Sequence, residues 1–276
     1  MPDLLIDWLI RTYPASKKTT LKQMIDDGRV TINGRPANRL KTPIAATDKI
    51  VVAERARQRA SVGPSLSPLT VVYEDADLLV IDKPPGLLTS TGPREKRPTA
   101  LAIITSFYAS NPRVQIGLVH RLDRDASGLL VFAKTPPAID SLKSQFFHHS
   151  VGRVYEAFVH GSPRQKKGTI ESYLIESKEG KIFNTRDTRR GQRAVTHVEV
   201  IDSANGVSRL RVKLETGRKH QIRVHLSTRG HPIVGDNVYG PQPPKSDRLQ
   251  LRAIELDLDH PRTGKRMEFR AAGLEA

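Results

Sequence analysis

From Leu69 to its end the chain returns repeatedly to one pattern: short runs rich in β-branched and aliphatic residues, closed off by turn-forming residues. LTVVYE, DLLVIDKP, GLLVFAKT, RVYEAFVHG, RAVTHVEVID, SRLRVKLET and LQLRAIELDLDHP all read as strands on this basis. Segments with helical signals are fewer: PTALAIITSFYAS, PPAIDSLKSQFFHHS and KHQIRVHLSTRG. The last has Thr216 just upstream and Gly230 with Pro232 downstream, which brackets a helix. Strands in such excess over helices argue against a doubly wound parallel sheet. They predict an α+β domain over 69–276, built on a mixed, largely antiparallel sheet with flanking helices.

Residues 1–55 follow a different rule. In LLIDWLIRTYP, Leu4, Leu5, Trp8 and Leu9 recur at helical spacing and Pro14 ends the run. A second helix is expected from a cap at Thr19 or Thr20 through LKQMIDDG, with Gly28 in the C-cap position. RVTINGRPA then alternates apolar and polar residues around Asn33-Gly34, a hairpin-turn dipeptide, and DKIVVA supplies another short strand. The segment ERARQRASVGPSLSP loses this periodicity and mixes Arg with Pro, Gly and Ser, so 56–68 reads as a flexible linker.

Lys and Arg number 45 against 29 Asp and Glu, a formal charge of +16. A field of that sign gathers polyanions, of which nucleic acid and anionic membrane are the usual ones. Membrane is disfavoured: no apolar run approaches the roughly 20 residues that span a bilayer, and the start MPDLLIDWLI lacks the basic front of a secretory signal. The absence of cysteine excludes disulfides, thiolate zinc sites and a Cys nucleophile, and suits a reducing cytoplasm. No metal is expected either. His220 and His225 would lie about 140° apart around a helix rather than one turn apart, and the adjacent His148 and His149 diverge.

The passage richest in chemistry is GLVHRLDRDASGLLVFAK, residues 117–134. Asp123 and Asp125 stand among His120, Arg121 and Arg124, between strongly apolar flanks. Such an insert is either a surface loop of paired charges or a set of side chains presented at a strand end toward a cleft. The string HRLDRDASGLLVFAK resembles the signature of the RluA family of pseudouridine synthases: His-Arg-Leu-Asp, two variable residues, Thr or Ala, then Ser-Gly-Leu-Leu. Three further segments resemble that family in the same order: VIDKPPGLLTSTG at 80–92, RVYEAFVHG at 153–161 and LETGRKHQIRVHLSTRGHPIVGDNVYG at 214–240. The N-terminal stretch DDGRVTINGRPANRLKTPIAATDKIVVA is similar to the RNA-binding domain named after ribosomal protein S-four.

The resemblance implies a set of roles. Asp123 would be the catalytic aspartate, Tyr155 the active-site tyrosine, and Arg223 the arginine that pairs with the aspartate. Arg121, His120, Lys83, Arg218 and His220 would contact RNA or the target nucleotide. Lys17, Lys18, Lys22, Arg29, Arg35, Arg39 and Lys41 would form a phosphate-facing surface on the first domain. Two departures stand out: Ala126 replaces the Thr of many members, and Arg252 replaces the His of a frequent Leu-His-Ala, where a substrate contact is expected to differ.

These residue types suit the chemistry. Making pseudouridine breaks the ribose–nitrogen bond, rotates the uracil and rejoins it through carbon, with no redox change and so no cofactor expected. A carboxylate in a dry pocket tends to take up a proton, and an arginine fork beside it favours the charged form. Tyr155 would add a ring face for stacking and a hydroxyl for proton transfer. The target uridine would have to leave its stack by base flipping. Expected, then, is a monomeric, cytoplasmic pseudouridine synthase acting on ribosomal or transfer RNA. The alternative is a non-catalytic RNA-binding or ribosome-assembly protein that keeps the fold. In either case RNA affinity should fall steeply between 50 and about 200 mM salt, as counterions are released from phosphates. A salt titration of filter binding that stayed flat would contradict the charge argument.

Overall fold

The structure is a computed structural model that describes every residue except 1–2, 15, 17, 27–28, 38, 53–65, 92–96, 243–247 and 275–276, and the side chains of 23 and 26. Lys17, the Gly28 cap and most of the expected 56–68 linker therefore lie outside the described residues. The chain separates into two compact units, Met1–Gly63 and Pro64–Ala276.

In the first unit, β1 (Asp3–Leu4) leads into α1 (Leu5–Thr12), α2 (Lys18–Asp26), β2 (Val30–Ile32), β3 (Arg35–Pro36), β4 (Pro43–Ile44) and β5 (Ile50–Val52). The helical spacing of α1 buries Leu5, Ile6 and Leu9 against Leu21, Met24 and Ile25 of α2 and Val30 of β2. Because α2 begins at Lys18, Thr19 and Thr20 lie inside its first turn and do not cap it. Asn33 (φ 50) and Gly34 (φ 80) both take the left-handed region that the tight β2–β3 turn needs. The Asn33 side chain also donates to Asp48 Oδ1 (2.8 Å) and accepts from the Lys49 N–H (2.9 Å), while Asp48 Oδ2 accepts from the Ala45 N–H. The hairpin is thereby tied to the turn before β5. Lys18, Lys22, Arg35, Arg39 and Lys41 are exposed and Arg29 is half-buried.

The second unit contains β6 (Thr70–Glu74), β7 (Leu78–Lys83), α3 (Ala100–Phe107), β8 (Gly117–Leu118), β9 (Ser127–Ala133), α4 (Pro136–Phe147), β10 (Gly152–His160), β11 (Lys167–Glu176), β12 (Ile182–Thr185), β13 (Gln192–Ala204), β14 (Val207–Leu214), α5 (Gln221–Thr228), β15 (Leu251–Asp259) and β16 (Arg266–Arg270). Their sheet runs β12-β11-β13-β14-β10-β15-β9-β7-β6, with β16 beside β15 and β8 beside β9. Every pairing is antiparallel except β15 with β9. A mixed, largely antiparallel sheet was the expectation from sequence, and the fold is α+β.

The near-continuous apolar runs of β7 and β9 follow from burial on both faces. Leu79, Ile81, Leu130 and Phe132 join one core with Ala100 and Ile104 of α3. Leu78, Val80, Leu129 and Val131 join another with Ala138 and Leu142 of α4. Thr99 caps α3 by accepting from the Ala102 N–H at 3.0 Å, and prolines open α4. Helix α5 is buried along Gln221–Leu226, so its polar groups need internal partners. Gln221 donates to Val195 O and Thr196 Oγ1 (both 2.9 Å), and His225 shares hydrogen bonds with Thr196 and Ser172. Burial, with Arg229 nearby, pushes the His225 pKa down to about 4, so the ring is neutral.

The lone parallel junction places the loop of interest. Ser127 and Gly128 pair with Arg252 and Ala253, so the segment before β9 emerges at the middle of the sheet. The backbones approach closely there: Gly128 has φ +108, and a Cβ on it would lie 2.2 Å from Ala253 O. We expect Gly128→Ala to destabilise the protein by about 3 kcal/mol or more, from backbone strain plus overpacking. An unchanged midpoint in urea unfolding would contradict this account.

Candidate active site

Residues 119–123 and Ala126 form one wall of a cavity of about 340 Å³, within the size range of small-molecule sites. Asp123, Tyr155, Arg223, His120, Arg121, Arg218 and His220 all line it. Residues more than a hundred positions apart are thus gathered by the sheet. The cavity lies where β9, β10 and β15 meet the N-terminal end of α5. The pairing of β10 with β15 slips between Val154 and Tyr155, an irregularity of the kind that re-aims a side chain.

The two acidic residues of the loop separate in role. Asp125 is gripped by its neighbour Arg124 through Nε and Nη2, at 2.8 and 3.0 Å. That bond outweighs partial burial and holds the Asp125 carboxyl below its usual range. Asp123 instead faces Arg223, whose Nη1 lies 3.4 Å from Oδ2. The Asp123 side chain keeps 19% of its surface exposed while that of Arg223 keeps 4%, so the carboxylate opens to the cavity and the guanidinium lies behind it.

The sequence reading gave the arginine fork to Asp123, and the structure corrects this. Arg223 donates through Nε and Nη2, both at 2.8 Å, to the two oxygens of Asp236. Asp236 also accepts the N–H groups of Val238 and Tyr239. Burial would raise its pKa, but the bonds and charge of Arg223, with those backbone donors, prevail and hold the carboxyl below its usual range. The Tyr239 ring lies 5.2 Å from Arg223 Cζ, and its hydroxyl meets His220 Nδ1 (2.9 Å) and accepts from the Ile182 N–H (3.0 Å). Both residues lie in GDNVYG, the tail of the segment quoted at 214–240. No spacing rule ties Asp236 to Arg223, so their pairing was invisible until the chain folded.

Lys83 is a second correction, because it is fully buried and cannot touch RNA. Its ammonium donates to three carbonyls, those of Pro84 (2.9 Å), Leu87 (2.8 Å) and Arg124 (3.0 Å). Burial pushes its pKa down to about 8, against the pull of Asp125, Asp123 and Asp82. Lys83 therefore pins the acidic loop from beneath. His120 lines the cavity, but as a neutral ring. Its Nε2 accepts the Val131 N–H at 3.0 Å, it stacks on Phe146 at 4.5 Å, and burial with Arg153 nearby pushes its pKa to about 3. Arg252 is not in the cavity wall: it pairs with Asp82 and donates to Ala272 O at 2.8 Å.

Tyr155 is buried on β10, and burial raises the pKa of its hydroxyl, with Arg153 opposing, so it stays protonated at neutral pH. Burial likewise lowers the His220 pKa, with Asp123 opposing. Arg218 lines the mouth and donates through Nε to Arg193 O at 3.1 Å. Phe147, 78% exposed, stands at the same mouth. Sequence reading passed over Arg153, two residues before Tyr155, although strand alternation puts both on one face. The one carboxylate–histidine cluster of metal-binding geometry among the described residues, Asp75, Asp77 and His260, lies outside this wall. Its oxygens already accept from Tyr73, Arg262 and Thr135.

The family model for RNA pseudouridylate synthase matches residues 77–228, and that for the S4 domain matches 5–50. Ribosomal large subunit pseudouridine synthase D of Yersinia pestis is 36% identical over 279 residues, spanning 96% of this chain and 85% of the relative. The uncharacterised RNA pseudouridine synthase YlyB of Bacillus subtilis is 36% identical over 259 residues, spanning 92% and 85%. Among solved structures, human RNA pseudouridylate synthase domain containing 1 superposes with a TM-score of 0.62 at 26% identity, over 75% of this chain and 84% of that one.

Removing Asp236 would leave Arg223 facing Asp123 alone in a buried setting. Asp236→Asn should cost about 3 kcal/mol at pH 7, as broken buried pairs do. The folded carboxyl titrates below its unfolded value, so the stabilisation is complete above that value, about pH 4, and fades as pH falls below it. The gap between wild type and variant in urea unfolding should narrow accordingly. A gap that widened toward acid would contradict the assignment.

Proposed function

The chain belongs to the RNA pseudouridylate synthase family, and from that premise we propose that it isomerises uridines of ribosomal RNA using the Asp123 carboxylate. That it is an RNA pseudouridine synthase sets aside the alternative of a non-catalytic RNA binder. The choice of ribosomal RNA rests on the Yersinia relative, a ribosomal large subunit pseudouridine synthase whose similarity extends over 96% of the chain. The role of Asp123 rests on one observation: among the described residues it is the carboxylate that opens into the cavity while contacting a buried guanidinium.

In this reading the target uridine flips out of its stack into the cavity. Flipping costs a few kcal/mol when the base is paired and least in loops, which favours unpaired targets. Asp123 attacks or deprotonates the nucleoside as the bond from ribose to ring nitrogen breaks. The uracil turns in place, and a bond forms between ribose and carbon five. Carbon five then loses its hydrogen and the freed ring nitrogen takes up a proton, so the reaction is balanced without an outside reductant or oxidant. Tyr155, protonated by virtue of its burial, offers its ring to the uracil and its hydroxyl to that proton exchange. Arg223 sets a positive charge beside Asp123, and its planar fork is the reason lysine should replace it poorly. Arg121 and Arg218 at the mouth attract the flanking phosphates.

The first unit would hold the RNA beyond the target, with Lys18, Lys22, Arg29, Arg35, Arg39 and Lys41 as its phosphate contacts; Lys17 lies outside the described residues. The enzyme is read as a monomer working in the cytoplasm without metal or cofactor. No helix among the described residues is long and apolar enough to cross a membrane.

The test uses ribosomal RNA labelled with tritium at carbon five of uridine, isolated from cells lacking the gene. Wild-type protein should release tritium. Asp123→Asn should reduce release to background while filter binding of the same RNA stays within about two-fold of wild type, since an exposed cavity group adds little to a phosphate-driven affinity. Release by Asp123→Asn at the wild-type rate would remove the catalytic assignment, and labelled transfer RNA as the better substrate would overturn the choice of RNA.

A further inference from the structure

We infer that Arg153 is an anion receptor built into the wall of the Asp123 cavity, and that its ligand is a backbone phosphate adjoining the flipped uridine. The inference rests on the reading above, but on a different side chain and a different chemical group.

Arg153 is 8% exposed and lines the cavity from β10. Every other strongly buried cation near the site has its charge answered. Arg223 meets two carboxylates, and the Lys83 ammonium meets three carbonyls. Arg153 meets no carboxylate among the described residues. Among the described residues it makes one hydrogen bond, a long one from Nη2 to Glu215 O at 3.4 Å, and its buried Nε has no acceptor there. Beneath the guanidinium lies the ring of Phe146, 5.7 Å from Cζ. The backbone of Gly217 passes so closely that a Cβ would lie 2.3 Å from Nη1. The guanidinium is thus flanked by a ring and a loop, with donors left over.

A buried guanidinium without a counterion is costly, and arginine does not escape the cost by losing its proton. A neutral uracil carbonyl would satisfy a donor but leave the charge uncompensated. An anion satisfies both, and RNA carries one at every linkage. A flipped nucleotide brings its own flanking phosphates to the cavity, and two phosphate oxygens match the guanidinium fork. The arrangement also explains why Gly217 has no side chain, since even a methyl group would displace Nη1.

The probe is a ribosomal RNA fragment that releases tritium with wild-type protein, remade with a neutral methylphosphonate at one linkage at a time around the target uridine. For wild type, one linkage adjoining the target should weaken binding about ten-fold or more when neutralised, the scale of a lost charged hydrogen bond. Arg153→Gln should show a comparable loss on native RNA, a salt slope shallower by about one, and no added loss at that linkage. Should Arg153→Gln fail to fold, Gly217→Ala replaces it, because it shifts the guanidinium while keeping the charge and should reproduce insensitivity to the same linkage. Arg153→Lys should recover part of the salt slope, which a purely packing role would not. The inference is overturned if no adjoining linkage is sensitive in wild type, or if the sensitive linkage costs the variants as much as it costs wild type. A wild-type protein that released no tritium from any ribosomal RNA would instead sink the functional reading.

Discussion

Arg223 divides its donors between two carboxylates, and the properties of the cavity follow from that division. Asp236 takes the bidentate face at 2.8 Å and is itself wholly buried, so it neutralises the guanidinium and fixes its plane. Asp123 receives the remaining nitrogen at 3.4 Å. Three charges then sum to a net negative one. Asp123 faces the nearby cation yet is not consumed by a tight pair, the condition that a group meant to react must meet. Had the fork closed on Asp123 instead, its oxygens would be occupied and its reactivity lowered.

The sheet supplies the rigidity around this triad. Strands β7 and β9 are covered on both faces, so the loop that carries Asp123 springs from a strand buried in both cores of the unit. Lys83 fastens that loop from below through Arg124 O, and His120 fastens it from the side through the Val131 N–H. Two residues that resemble solvent-facing cations in the sequence serve here as hydrogen-bonding struts. Lys83 is made tolerable by its three carbonyl acceptors and His120 by being neutral.

Much of this was legible in the chain, and the failures have physical causes. The apolar runs of β7 and β9 and the helical segments PTALAIITSFYAS and PPAIDSLKSQFFHHS are local signals, and they placed β7, β9, α3 and α4. Strands β11 and β16 were passed over because KGTIESYLIE and RMEFR mix charged residues into the alternation, and β12 because it is short. Asp123, Tyr155 and Arg223 were named through resemblance, and the cavity gathers all three. Asp236 was missed because its pairing with Arg223 turns on how the segment after α5 folds back. Lys83 was misplaced because a lysine's destination depends on whether carbonyls converge on it, and no linear pattern encodes that.

The parallel contact of β9 with β15 has a consequence for when the site comes into being. Asp123 and Arg223 are 100 residues apart, and the strand that buttresses Gly128 lies later still in the chain. Closing loops of that size is entropically slow, and such contacts form late compared with hairpins like β13–β14. During synthesis, the basic first unit and the early strands leave the ribosome before α5 and β15 exist. A growing chain can therefore cling to RNA through its charge long before it has a pocket in which to transform a base. Attachment precedes competence, and the last third of the polypeptide sets the moment at which one becomes the other.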